Sequence, residues 1–111
     1  MVALVTGCST GIGYSASLIL ARNGFYTYAS LHNIGKSASI KQIANKEALP
    51  LEVIQLDVND DLSVKNAIEE IISEKGRIDI LFNNAGYGLI GPIEDISIEQ
   101  LKDSLKPTFL E

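Results

Sequence analysis

Apolar positions along this chain switch between two periods. Val2 to Val5 is a short continuous apolar run, and Ala3 to Thr6 reads as a buried parallel strand. Ile12, Ala16, Ile19 and Leu20 then recur at helical spacing, and Asn23-Gly24 supplies a stop. Phe25 to Ser30 is aromatic and β-prone, a second strand. Ile40, Ile43 and Ala44 predict a helix from Ser37 to Ala48, closed by Pro50, and Leu51 to Leu56 predicts a third strand. The next helix has the clearest face: Val64, Ala67, Ile68, Ile71 and Ile72, with Asn59, Asp60 and Asp61 crowding its start and Gly76 ending it. Ile78 to Phe82 predicts a fourth strand, and Ser97 with Gln100 makes a capping-box signature for a last helix that stops near Pro107.

Strands alternating with helices predict a doubly wound α/β fold, with a parallel sheet covered on both faces. Right-handed crossovers make 3-2-1-4 the simplest strand order, with a ligand crevice at the carboxyl ends of strands one and four. A chain of 111 residues holds one domain at most.

The composition, 46% hydrophobic and 21% charged, excludes disorder as the default. No apolar run approaches the roughly 20 residues of a membrane span, and the start lacks a signal-peptide pattern. One cysteine, Cys8, cannot close an internal disulfide, which favours a reducing cytoplasmic setting. The net charge of −5 argues against nucleic acid as a partner. Its distribution says more. The first 46 residues carry Arg22, Lys36, Lys41 and Lys46 unopposed, and all fourteen acidic residues follow. This fits either a solvated acidic face further on or a glycine-rich third that handles a phosphate-rich ligand.

The chemistry concentrates in TGCSTGIG, Thr6 to Gly13, directly behind the first strand. Gly7 and Gly11 permit a tight turn and close approach to a diphosphate, and Gly13 lets the following helix pack on the sheet. That helix start offers free N–H groups and a partial positive charge. Ser9 and Thr10 add hydroxyl donors. Cys8 reads as a small buried filler. A site preferring NAD places an acid about 20 residues past the glycines to hold the ribose 2′-OH. None occurs at the end of strand two, where Ser30, His32 and Asn33 stand instead. A 2′-phosphate meets no acid in that stretch, and these three residues can donate to it; a plain surface loop is the bland reading of His32. Asp57, closing strand three, is either a turn or cap residue or an acceptor for an adenine amino group. NNAGYG, Asn83 to Gly88, suits a tight backbone beside a ligand but also any such loop.

TGCSTGIG, LDV at Leu56 to Val58, and NNAG occur in order at suitable spacing. Together they resemble the N-terminal half of the short-chain dehydrogenase/reductase family, classical type, from Val2 to about Leu105. The resemblance implies a nicotinamide dinucleotide bound by Gly7, Gly11 and Gly13 at the diphosphate, with Ile12 beside them in the groove. It implies Asp57 and Val58 at adenine, and Asn83, Ala85 and Gly86 at the adenosine ribose side. His32 falls where NADP-preferring members carry Arg, and Thr10 where others carry a basic residue. NADP is therefore the expected cofactor, with NAD the alternative.

The chain departs from the family in its chemistry. Family catalysis uses a Tyr with a Lys four residues later, yet Leu18, Ser30, His32 and Gly91 follow Tyr14, Tyr26, Tyr28 and Tyr87 at that spacing. Thr108 stands where a catalytic Asn is expected, and Pro107 breaks the helix before it. No catalytic residue and no metal site are read here. Residues 106–111 read as a tail outside the family, with Leu110-Glu111 resembling the remnant of a cloning site, so the chain is expected to be a fragment; a natural short reading frame is the rival. The expected function is cofactor binding without turnover. Its alternatives are a self-associating structural half-domain and a non-catalytic nucleotide-dependent regulator. A homodimer joined along strand four is expected, because that edge would otherwise be unpaired.

Overall fold

A computed structural model describes residues 1–9 and 11–83. Four parallel strands, β1 (Val2–Val5), β2 (Tyr26–Leu31), β3 (Leu51–Gln55) and β4 (Ile80–Phe82), pair in the order β3-β2-β1-β4. This is the order the alternation of strands and helices predicts. Three helices connect them: α1 (Gly11–Arg22), α2 (Ala38–Glu47) and α3 (Asp61–Lys75). Each strand boundary lies within two residues of its expected place. The helix expected from Ser97, like Thr10, Ala85 and Gly86, lies outside the described residues.

The two-residue period of the strands builds two cores. Val2 and Leu4 of β1, Tyr28 of β2, Ile54 of β3 and Leu81 of β4 meet Val64, Ala67, Ile68 and Ile71 of α3. On the opposite face Val5, Ala29 and Leu31 meet Leu18 of α1 and Ile40 of α2. In register, Leu4 lies between Tyr28 and Leu81, so the centre of the sheet is sealed by apolar side chains on both flanks. Among the described residues no helix is long and apolar enough to cross a membrane.

Helix ends follow the sequence, with refinements. Of the three polar residues before α3, Asp60 is the N-cap: its Oδ1 accepts from Leu62 N at 3.0 Å and Ser63 N at 3.4 Å. Gly76 closes that helix in the left-handed region at φ 76°. Ala48 closes α2 at φ 53°, a conformation that alanine adopts at a cost of about 1 kcal/mol.

Two expected core faces need correction. Ile12 and Ile19 are 68% and 57% exposed, while Ala16 and Leu20 of the expected face do pack, partly buried, against the core; the residues α1 buries fully are Gly13, Ser17, Leu18 and Ala21. Small residues make this contact because they let the helix backbone approach the sheet, so the bulkier isoleucines face outward. Ile72 of α3 is likewise exposed, one position beyond the buried Ile71.

The start of the chain is tied to β4 through Asp79. Its buried carboxylate accepts from Val2 N at 2.7 Å, and Asp79 N donates to Val2 O at 2.8 Å. Arg77 pairs with the same carboxylate. The Val2 hydrogen bond, and then Arg77, hold the Asp79 carboxyl below the usual carboxylate value. Because the folded value is lowered, the stability it contributes is complete above the unfolded value and is lost as pH falls through the folded one. Asp79→Asn should therefore cost about 1–3 kcal/mol at neutral pH. The deficit should shrink as acid titrations of wild type and variant, followed by urea unfolding, reach pH values below the ordinary carboxylate range. A deficit that is constant with pH would contradict this role.

Glu52 behaves oppositely. Burial, then the neighbouring Glu74 and Glu70 carboxylates, raise it. Its contribution is present at low pH and lost as pH rises. Comparing Asp79→Asn with wild type at each pH separates the two effects.

Candidate functional site

The carboxyl ends of β2 and β4 flank the turn that follows β1. Thr6 N donates to Phe82 O at 3.0 Å, and Thr6 Oγ1 donates to Asn83 Oδ1 at 3.1 Å. On the other flank Cys8 N donates to Ser30 O at 3.0 Å. The turn is thus pinned between β2 and β4, over the crevice expected at the switch in strand order.

Gly7 at φ 66° and Gly11 at φ 68° both occupy the left-handed region, where side chains are strained. α1 begins at Gly11, so its first-turn N–H groups open at the end of this turn. A Cβ added at Gly11 would meet nothing within 4 Å. Its glycine is therefore required by backbone conformation and not by crowding from the described protein. Gly13 is buried against the sheet, as expected of the glycine that lets helix and strands approach.

Cys8 is fully buried and its Sγ donates to Val5 O at 3.2 Å. Burial pushes its thiol up to about 12, outweighing a hydrogen bond from Ser17. It is protonated at neutral pH and fills space, as the sequence suggests.

Ser30 lies at the carboxyl end of β2, and its Oγ is buried without a hydrogen-bond partner among the described residues. Asn33 is used locally: its Oδ1 accepts from Gly35 N at 2.9 Å and caps the turn Ile34–Lys36. His32 is exposed, with Nδ1 3.5 Å from Asp57 Oδ1. Asp57 is neither free nor the helix cap, which is Asp60. Its N–H donates to Ser63 Oγ at 2.9 Å and its Oδ1 accepts from Asn59 N at 3.0 Å. Val58 is partly buried against the α3-side core, which leaves it one face for other contacts. Ser9 is half-buried in the turn, and Ile12 is exposed at its helix end.

Gly7, Ser9, Gly11, Ile12, Ser30, His32, Asp57, Val58 and Asn83 therefore stand along one end of the sheet. Sequence reading did not find the supports: Thr6 for Asn83, and Ser63 for Asp57. Ser63 sits six residues after Asp57, and a serine in the first turn of a helix is the signal that could have found it.

Residues 1–109 match the family model for short chain dehydrogenase, and the chain belongs to that family. Human (Homo sapiens) 17-beta-hydroxysteroid dehydrogenase type 1 is 41% identical over 99 residues, covering 84% of this chain and 30% of that protein. Retinol dehydrogenase 8 of Bos taurus is 37% identical over 111 residues, covering 96% of this chain and 35% of that protein. The chain thus spans about a third of the length of these relatives. Among solved structures, a metagenomic short-chain oxidoreductase in complex with NADP is similar at TM-score 0.73 and 26% identity, over 79% of this chain and 40% of that one.

Proposed function

We propose that this chain is the NADP(H)-binding portion of a short-chain dehydrogenase/reductase-like oxidoreductase. The observation that carries the proposal is the pair of left-handed glycines bracketing a turn that leads from β1 into the start of α1. Backbone N–H groups at such a turn suit a diphosphate, and among the described residues nothing stands within 4 Å of where a side chain at Gly11 would begin. The buried Ser30 Oγ at the same end of the sheet, without a hydrogen-bond partner among the described residues, is a second polar group that suits a ligand.

In this reading Gly7, Ser9, Thr10, Gly11 and Gly13 hold or admit the diphosphate. Ser30, His32 and Asn33 face the ribose 2′ position. Asp57 and Val58 border adenine, and Asn83, Ala85 and Gly86 border the adenosine ribose. When bound, the dinucleotide supplies the hydride exchanged with a carbonyl or alcohol. The chain's own residues orient the cofactor. The proton-transferring Tyr-x-x-x-Lys of the family does not occur in its sequence. Among the described residues β4 pairs only with β1, which supports a homodimer that adds a second copy along β4.

NADPH is expected to bind more tightly than NADH, because no acid of the chain stands at the end of β2 itself. Isothermal titration with both cofactors checks this, and tighter NADH binding would overturn the NADP assignment. The chain alone is expected to give no cofactor-dependent turnover across a panel of alcohols and ketones. Oxidation or reduction at ordinary enzyme rates, about 1 per second or faster, would overturn the proposal that catalysis needs residues this chain lacks.

A further inference from the structure

We propose that Glu52, Glu70 and Glu74 form a proton-operated clamp that holds the last turns of α3 against β3, closed while they share one proton and loosened when it leaves. The inference stands apart from the dinucleotide reading. Glu52 is the second residue of β3 and Tyr26 the first of β2, so the group lies toward the amino ends of these strands, away from the glycine turn. Glu52 is the register partner of Tyr28, so both side chains rise from the face of the sheet that α3 covers. Glu70 and Glu74 stand one turn apart on α3, on the same side of the helix. One carboxylate oxygen from each of the three lies within 4.8 Å of the other two.

Within this group Glu52 is the carboxyl left without a donor. Its Oε2 is buried with no hydrogen-bond partner among the described residues. The neighbouring donors are engaged elsewhere. The Tyr28 hydroxyl gives its single proton to Glu74 Oε1 at 2.7 Å. The Lys75 ammonium lies over the Tyr26 ring, 3.6 Å from its centroid. An ionised Glu52 therefore combines an unpaired buried acceptor with two like charges close by, and both are unfavourable. One proton on Glu52 removes both penalties. It turns Oε2 into an O–H donor that a small side-chain rotation brings to Glu70 or Glu74. That bond and the Tyr28–Glu74 bond then tie the end of α3 to two adjacent strands.

The charges around Glu52 act in the same sense. Burial, then Glu74 and Glu70 of α3, raise its carboxyl; Tyr28 of β2 and Lys75 of α3 lower it and are outweighed. Tyr26 of β2 also faces the group: burial, then Glu52 and Glu74, raise its phenol, so it stays neutral. From α2, Lys41 lines a groove with Glu52. Because the folded value of Glu52 is raised, the stability it contributes is complete below the unfolded glutamate value and is lost as pH rises through the folded one. The proton then passes to water, and the three carboxylates push the end of α3 away from β3.

The test is an NMR titration of the full chain, isotopically labelled, from about pH 4 to about pH 8. The Glu52 carboxyl carbon should titrate with a midpoint above the ordinary glutamate value of about 4.3. Glu74→Gln and Glu70→Gln each remove one repelling charge, and each should lower that midpoint by roughly half a pH unit. Glu52→Gln keeps a neutral donor in place at every pH. Amide-exchange protection of residues 71–75 in wild type, divided by that in Glu52→Gln at the same pH, should fall about three- to tenfold from the acid to the alkaline end. The ratio cancels the pH dependence of exchange itself. A Glu52 midpoint at or below the ordinary value overturns the clamp, and wild type alone gives that result even where a variant folds poorly. A midpoint that neither Glu70→Gln nor Glu74→Gln lowers overturns the shared proton. A raised midpoint with a flat protection ratio overturns the clamp as well, because the proton would then hold nothing in place.

Discussion

Tyr28→Ala is expected to cost about 3–5 kcal/mol, measured as the loss in urea-unfolding free energy. Tyr28 is fully buried in the middle of β2, in register with Leu4 on one side and Glu52 on the other. Its ring packs against Tyr26 at 5.4 Å between centroids, and its hydroxyl donates to Glu74 Oε1 at 2.7 Å. Burial, and then the Glu74 hydrogen bond, push its phenol far above the usual range, so it stays neutral at any working pH. Truncation removes an aromatic from the α3-side core and takes one hydrogen bond from the exposed Glu74 carboxylate. Domains of this kind carry about 5–15 kcal/mol in all, so the variant should be substantially unfolded at modest temperature. Tyr28→Phe isolates the hydroxyl and should cost only about 0.5–1.5 kcal/mol. Equal costs for the two variants would contradict the packing described.

Gly13→Val should damage stability and nucleotide binding together. Gly13 is buried on the face of α1 that lies on the sheet, in a line with Ser17, Leu18 and Ala21. Three of those four residues are small, so the helix sits close and leaves little room for the three carbons of an isopropyl group. Overpacking of this kind costs about 1–3 kcal/mol, and a β-branched side chain adds helix strain. The displaced helix carries Gly11 and its own first-turn N–H groups with it, so the phosphate-facing backbone moves as well. Thermal melts and NADPH titration of the same sample read both losses. Wild-type melting and wild-type affinity together would contradict this placement of Gly13.

The strands and the strand order were legible because β1, β2 and β3 are short apolar or β-prone runs separated by helical spacing and glycine stops. α3 was legible because Val64, Ala67, Ile68 and Ile71 are bulky enough, Ala67 aside, to register as a stripe. α1 was misread for the complementary reason. Hydropathy gives weight to Ile12 and Ile19, whereas close helix–sheet packing selects Gly13, Ser17 and Ala21, which have little apolar bulk to count. The glycine turn was legible from residue type, since positive φ at Gly7 and Gly11 is a local property. The supports of the site were not. Thr6 and Asn83 are 77 residues apart and meet only because β1 and β4 are neighbours. The pairing of His32 with Asp57 likewise depends on β2 lying beside β3, and no spacing in the chain announces it. Asp57 and Asp60 both had the composition of a cap; the backbone geometry at the start of α3 gives that role to Asp60.

The central claim is that a dinucleotide docks its diphosphate on the turn between β1 and α1. An amide-resolved NMR titration of the full chain with NADPH tests it most directly. The account predicts saturable shifts of the Gly7, Ser9, Gly11 and Gly13 amides, with the remote Gly24 and Gly76 amides unmoved. Saturable shifts confined to other regions, or no shift at the turn at any NADPH concentration, would contradict it.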